Sequence, residues 1–254
     1  MVLARYAGNV SDCGEYVLIA TPDNPGYYFG NYLIFKQPPK AGDHDRWRDL
    51  FRESFACDEA VRHVAFSWSC EAGESAELTI FAADGFTLEE RVVLSAQFVR
   101  ERVAPIGIAI RELCGARDWD ALLDLEMRMR EPIFEPTGYE AFKRRQLGAQ
   151  RRLCRDGIGA WIGAFAGDGL VGSCGIFSAG TFARYQNVGV DEPWRNRGIA
   201  KALLCDAAHI GYDRLGADRC IIVADAASSA RTLYERAGFA LIQREWALWR
   251  APQS

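Results

Sequence analysis

Apolar and polar positions alternate along the chain in ways that divide it into short elements. Residues 159–165 and 170–177 are two apolar runs separated by Ala166-Gly167-Asp168-Gly169, the signature of a β-hairpin. Residues 185–190 form a further strand-type run. It ends in the turn Asp191-Glu192-Pro193, because proline cannot continue a ladder. From Gly198 onward Ile199, Leu203, Ala207 and Ile210 recur at helical spacing while Lys201, Asp206, His209 and Asp213 take other faces, which predicts a helix. A buried strand over 218–225, a helix over 228–237 closed by Gly238, and closing strands over 239–250 follow. Ahead of the hairpin the pattern predicts a strand over 106–113, a helix over 118–129, a proline-broken loop over 131–138 and a helix over 139–153.

The first part of the chain reads differently. It predicts a strand over 15–20, a turn over 21–26 and an aromatic strand over 27–35 closed by Pro38-Pro39. A helix over 43–55 puts Trp47, Leu50, Phe51 and Phe55 on one face, with Asp43 or Asp45 as its cap. Strands over 63–70, 76–83 and 90–98 complete it. Tyr27, Tyr28, Phe29 and Tyr32, lying in an alternating strand, fill a core or an interface. No row of basic residues accompanies them, so a nucleic-acid platform is not indicated. The charged Arg100-Glu101-Arg102 and then Ala104-Pro105 interrupt the pattern, and mark the expected boundary between a unit over 1–104 and one over 105–254.

Composition narrows the class. The chain has 254 residues, 49% hydrophobic and 25% charged, as in soluble globular proteins. No run approaches the ~20 apolar residues of a membrane span, and the opening MVLARYAGNVSDCGEY has neither a cationic head nor an apolar signal core, so a cytoplasmic location is expected. The eight cysteines stand singly, with no C-x-x-C and no clustering beside the three histidines, which predicts neither metal nor disulfides. A net charge of −4 excludes a generally basic nucleic-acid binder. Residues 1–104 hold 10 Lys and Arg against 16 Asp and Glu, and residues 105–254 hold 20 against 18, so the second part suits an anionic ligand better.

That part also holds the chemistry. In Arg195-Asn196-Arg197-Gly198-Ile199-Ala200 a glycine lets backbone approach a ligand, and the first helical turn leaves N–H groups without intrahelical partners. With the helix dipole and two arginines, the expected guest is a phosphate or pyrophosphate. No G-x-x-x-x-G-K-[ST] occurs, and Gly157-Ile158-Gly159 lacks the later glycine of a dinucleotide loop.

R-x-x-G-x-A after a strand resembles the acetyl-CoA signature of the GNAT N-acetyltransferase superfamily, Q/R-x-x-G-x-G/A. Downstream, residues 225–239, DAASSARTLYERAGF, are similar to that family's second signature, a helix ending in L-Y-x-x-x-G-F. The resemblance implies a mixed α/β fold with a central twisted sheet flanked by helices, complete over 105–254. Residues 1–104 are similar to the opening half of that fold but never reach the signature loop, which makes them a degenerate copy in a tandem protein. Arg46-Trp47-Arg48 and Asp118-Trp119-Asp120 mark the matching helices. It further implies acetyl-CoA as co-substrate without a metal, and direct acetyl transfer to a primary amine of a small molecule or peptide. Neither a nucleic acid nor a membrane is an expected partner, and the assembly is a monomer or homodimer.

The resemblance also assigns roles. Val188 and Val190 offer backbone groups to the pantetheine arm and the thioester carbonyl, and Arg195, Asn196, Arg197, Gly198, Ile199 and Ala200 hold the pyrophosphate. Tyr234 shares a helical face with Ala230, Leu233 and Ala237, which by itself reads as core; the resemblance makes it the proton donor to the departing thiolate. The family commonly has asparagine seven residues before that tyrosine, where this chain has Ala227, so Ser228 or Ser229 substitutes. Glu131, Glu135 and Glu140 border the expected acceptor site as candidate bases or as solvated surface charges. An acyl-CoA sensor without turnover and an interaction module built on the aromatic N-terminal part are the alternatives.

Overall fold

Short amphipathic segments set the architecture. The computed structural model describes Tyr6, residues 8–69 and residues 71–252. Cys70, with which the expected strand over 63–70 ends, lies outside them, as do residues 1–5, 7 and 253–254. The described chain divides into two units, one made of residues 1–93, 224–228 and 241–254, the other of residues 94–223 and 229–240. Neither is one continuous segment, since the C-terminal strand belongs to the first unit.

In the first unit, strands β1 (Asn9–Asp12), β2 (Tyr16–Ala20) and β3 (Tyr32–Phe35) run antiparallel in that order. Strand β3 pairs parallel with β4 (Val64–Ser69) through Leu33 and Ile34. Helix α1 (Asp43–Ser54) makes the crossover, as a parallel connection requires. Trp47 lies flat on Phe35, ring centroids 3.7 Å apart, and with Phe51, Phe66, Trp68 and Phe81 forms the core beneath α1.

Three expectations for this unit are corrected. Residues 76–83, read as a strand, form helix α2 (Ser75–Ala83), whose buried positions are Glu77 and Phe81, four apart. A glutamate in place of the second apolar residue hid the helical period. Residues 27–35 are not one strand: a 3-10 turn spans Tyr28–Gly30 before β3. The Asn31 side chain builds that turn, accepting from Thr21 N at 2.7 Å and donating to the carbonyls of Asn24 and Tyr27. The N-cap of α1 is Gly42 rather than an aspartate side chain.

Strand β5 (Thr87–Ala96) leads into the second unit. There β6 (Ile108–Glu112), β7 (Gly159–Ala166), β8 (Gly169–Ala179) and β9 (Phe182–Val190) form an antiparallel meander. Helices α3 (Ala116–Arg128) and α4 (Pro136–Arg155) precede the hairpin, and Glu135 caps α4 by accepting from Thr137 N and Gly138 N, which starts it three residues earlier than expected. Helix α5 (Ile199–His209) leads to β10 (Arg219–Asp225), which pairs parallel with β9, and α6 (Ser229–Arg236) follows. The last segment is a single strand, β11 (Ala240–Arg250), antiparallel to β4. Among the described residues no helix is long and apolar enough to cross a membrane.

Candidate active site

Two irregularities in β9 open the site. Strands β9 and β10 are paired only through residues 182–184 and 219–221, so beyond Arg184 β9 runs on without that neighbour. On its other side Gln186 pairs with Gly175 and Gly189 with Ser173, leaving Asn187 and Val188 to oppose Cys174 alone. This is a β-bulge, and Asn187 at its pivot has a left-handed φ of 45°.

Beyond β9, Glu192–Trp194 make one 3-10 turn and α5 begins. Its N-cap Gly198 has φ 86° and no side chain caps the helix, so the N–H groups of the first turn remain open to an anion. A Cβ at Gly198 would meet the Arg102 guanidinium at 3.4 Å. Arg195 donates from Nε to the Val190 carbonyl at 3.1 Å, and Arg197 donates to the Pro193 carbonyl while lying over the Trp194 ring. The two arginines therefore shape the loop as well as charge it.

These parts line one cavity of about 1050 Å³ in the second unit. Of the residues expected at the site, Val188, Val190, Arg195, Asn196, Arg197, Gly198, Ile199, Ala200 and Tyr234 all line it. Ser228 does not: its hydroxyl donates to the Asp225 carbonyl at 2.8 Å, and Ser229 takes the lining position. Arg102, Lys201 and Arg236 add basic groups that sequence reasoning missed, Arg102 because it lies 96 positions before Gly198. The cavity fits a polyanion by charge and by open N–H groups.

Tyr234 is 6% exposed and burial pushes its phenol up to about 12. Its side chain lines the cavity. None of the three candidate bases lines the cavity. Glu135 is spent on its cap and the two N–H groups hold its carboxyl below the usual range, Glu140 pairs with Arg144 at 2.7 Å, and Glu131 is exposed. The carboxylate that does line it is Glu126, buried and paired with Lys143 at 2.7 Å. Glu126 carried no sequence signal, since it sits at a buried position of an ordinary amphipathic helix.

Residues 157–241 match the family model described as Acetyltransferase (GNAT) domain. Over those residues the chain is similar to a GNAT acetyltransferase domain. No curated protein matches the sequence. Among solved structures the chain is similar to a functionally unknown conserved protein from Staphylococcus epidermidis, with TM-score 0.74 and 15% identity over 98% of this chain and 96% of that one. It is similar to a GCN5-related N-acetyltransferase from Kribbella flavida, with TM-score 0.69 and 14% identity over 100% of this chain and 92% of that one. A tandem GNAT protein from the clavulanic acid biosynthesis pathway is similar at TM-score 0.54 and 12% identity, covering 88% of this chain and 76% of that one. At these identities the likeness is one of fold, the mixed α/β sheet flanked by helices.

One group in the second unit departs from the expectation that no cysteine clusters with a histidine. Cys205, Asp206 and His209 offer ligand atoms within 4.8 Å of one another. Burial pushes both the Cys205 thiol and the Asp206 carboxyl up.

Proposed function

We propose that the protein is an acetyl-CoA-dependent N-acetyltransferase that passes an acetyl group directly to a primary amine of a small molecule or peptide. The observation that carries this reading is the meeting, in one cationic cavity, of the uncapped start of α5, the bulged strand β9 and Tyr234. Acetyl-CoA, when bound, supplies an activated acetyl group whose transfer leaves a thiolate. The first-turn N–H groups of residues 198–201, with Arg102 and Lys201 beside them, would hold the pyrophosphate. Backbone of the bulge at Val188 would orient the thioester, and the role expected of Val190 is reduced because its carbonyl already accepts from Arg195. A phenol near 12 holds its proton more tightly than a thiol of ~8.5 does, so Tyr234 would stabilise charge on the departing sulfur as a hydrogen-bond donor.

Residues 105–254 as the catalytic GNAT domain, residues 1–104 as a degenerate GNAT-like half, a cytoplasmic location and a monomer or homodimer belong to the same proposal. A second reading, an acyl-CoA sensor without turnover, is favoured by one observation: Glu126, the sole carboxylate among the described residues lining the cavity, is already neutralised by Lys143.

Free-thiol release with a panel of amines separates the two. Under the enzyme reading Tyr234→Phe keeps acetyl-CoA affinity and lowers turnover by roughly 10²- to 10⁴-fold. Burial also sets the pH dependence. Raised above its ordinary value, the phenol stays protonated past pH ~10, so turnover shows no alkaline fall from Tyr234 until the pH nears about 12. Binding without release for any amine supports the sensor.

A further inference from the structure

The end of α3 grips β9 at alternate positions. Glu126 Oε1 accepts from Asn187 Nδ2 at 3.2 Å, Met129 packs so closely that a Cβ on Gly189 would lie 2.8 Å from its terminal methyl, and Arg128 Nε meets Asp191 Oδ2 at 2.8 Å. The three contacts fall on residues 187, 189 and 191, so one helix end borders the bulge and the turn that follows it. Behind it, Glu126 Oε2 pairs with Lys143 Nζ of α4, both side chains under a tenth exposed, and the ammonium also donates to Gln146 Oε1. Lys143 lies 5.5 Å from the Tyr139 and Phe142 ring centroids.

Such a pair adds little net stability, because removing two charges from water offsets most of their attraction. Asn187, moreover, holds a backbone conformation that side chains other than glycine adopt at a cost. We propose that Glu126, fixed by Lys143, is a positioning residue: it holds Asn187 in the left-handed conformation and thereby sets the direction of the Val188 backbone in the cavity. The proposal rests on the acetyl-transfer reading for its consequence in turnover, and on geometry alone for its consequence in the strand. Glu126 acts through Asn187, with one oxygen on the Asn187 amide and the other on Lys143.

Three variants test it. Asn187→Gly keeps access to positive φ and removes the tether. Glu126→Gln keeps an oxygen that accepts from Asn187 but leaves Lys143 without its counter-charge, and Glu126→Leu with Lys143→Leu removes tether and charges together. For each, the melting temperature, the Val188 amide hydrogen-exchange rate, and kcat and KM for acetyl-CoA hydrolysis are measured. The expected pattern is dissociation of turnover from stability. Asn187→Gly and the double variant lose at least tenfold in kcat and gain at least tenfold in Val188 exchange, with KM within about threefold and little change in melting temperature for Asn187→Gly. Glu126→Gln melts lowest yet retains most of its kcat. If kcat instead follows the melting temperature across the series, with Glu126→Gln the worst and Val188 exchange unchanged in Asn187→Gly, the residues are structural only and the proposal falls. A parent protein that neither binds nor hydrolyses acetyl-CoA removes the functional reading, and the Val188 exchange rates then decide the positioning claim by themselves.

Discussion

Helices α1 and α5 begin in the same backbone form and meet different fates. Gly42 (φ 87°, ψ −2°) and Gly198 (φ 86°, ψ 0°) are both left-handed N-caps, and neither helix has a side-chain cap at that position. At α1 the open N–H groups are taken by the protein itself: the Glu77 carboxylate, 2% exposed, accepts from Gly42 N at 3.2 Å and His44 N at 2.5 Å. At α5 they face a cavity lined by Arg102, Arg195, Arg197 and Lys201. A left-handed glycine thus makes a helix start that an anion can reach, and what occupies that start decides whether it is a strut or a site. In the first unit the anion is built in.

Breaking the α5 start has the largest expected effect. Gly198→Val strains a left-handed position and puts a branched side chain against Arg102, so acetyl-CoA affinity measured by calorimetry falls at least 100-fold, about 3 kcal/mol, while the first unit stays folded. The mirror experiment is Glu77→Leu, which takes the acceptor from two part-buried N–H groups and destabilises the first unit by about 1–2 kcal/mol in denaturant unfolding, with acetyl-CoA affinity unchanged. Arg102→Ala sharpens the contrast further: it removes a guanidinium that lies over Gly198 without engaging the loop backbone, and costs about three- to tenfold in affinity. Arg195→Ala should cost least in charge, about twofold, because first-turn N–H groups remain; a larger loss measures how far its bond to the Val190 carbonyl shapes the loop.

Much of the second unit was legible because its signals are local. The hairpin over 159–177 shows two apolar runs around a glycine turn, and the α5 loop announces itself by a proline, a glycine and a helical period within about 20 residues. What stayed hidden depends on partners far along the chain. Helix α2 was mistaken for a strand because Glu77 faces the core where an apolar residue was expected, and the N–H groups that explain it lie 33 and 35 positions away. Glu126 looked like any charge on an amphipathic helix, since Asn187 and Lys143 lie on other elements. Strand β1, wholly exposed with the sequence NVSD, offers no apolar pattern to read. The candidate bases lie near the loop that borders the expected acceptor site, and the cap formed by Glu135 is visible only once α4 is seen to begin at Pro136.

The account turns on whether the two helix starts differ in what they bind, and amide NMR during an acetyl-CoA titration addresses that directly. The N–H resonances of residues 198–201 should shift strongly and saturate with one equivalent, as backbone donors to a bound phosphate do, while those of Gly42 and His44 stay where the Glu77 carboxylate holds them. Saturating binding with residues 198–201 unmoved, or with Gly42 and His44 shifted in their place, would contradict the assignment of the α5 start as the cofactor site.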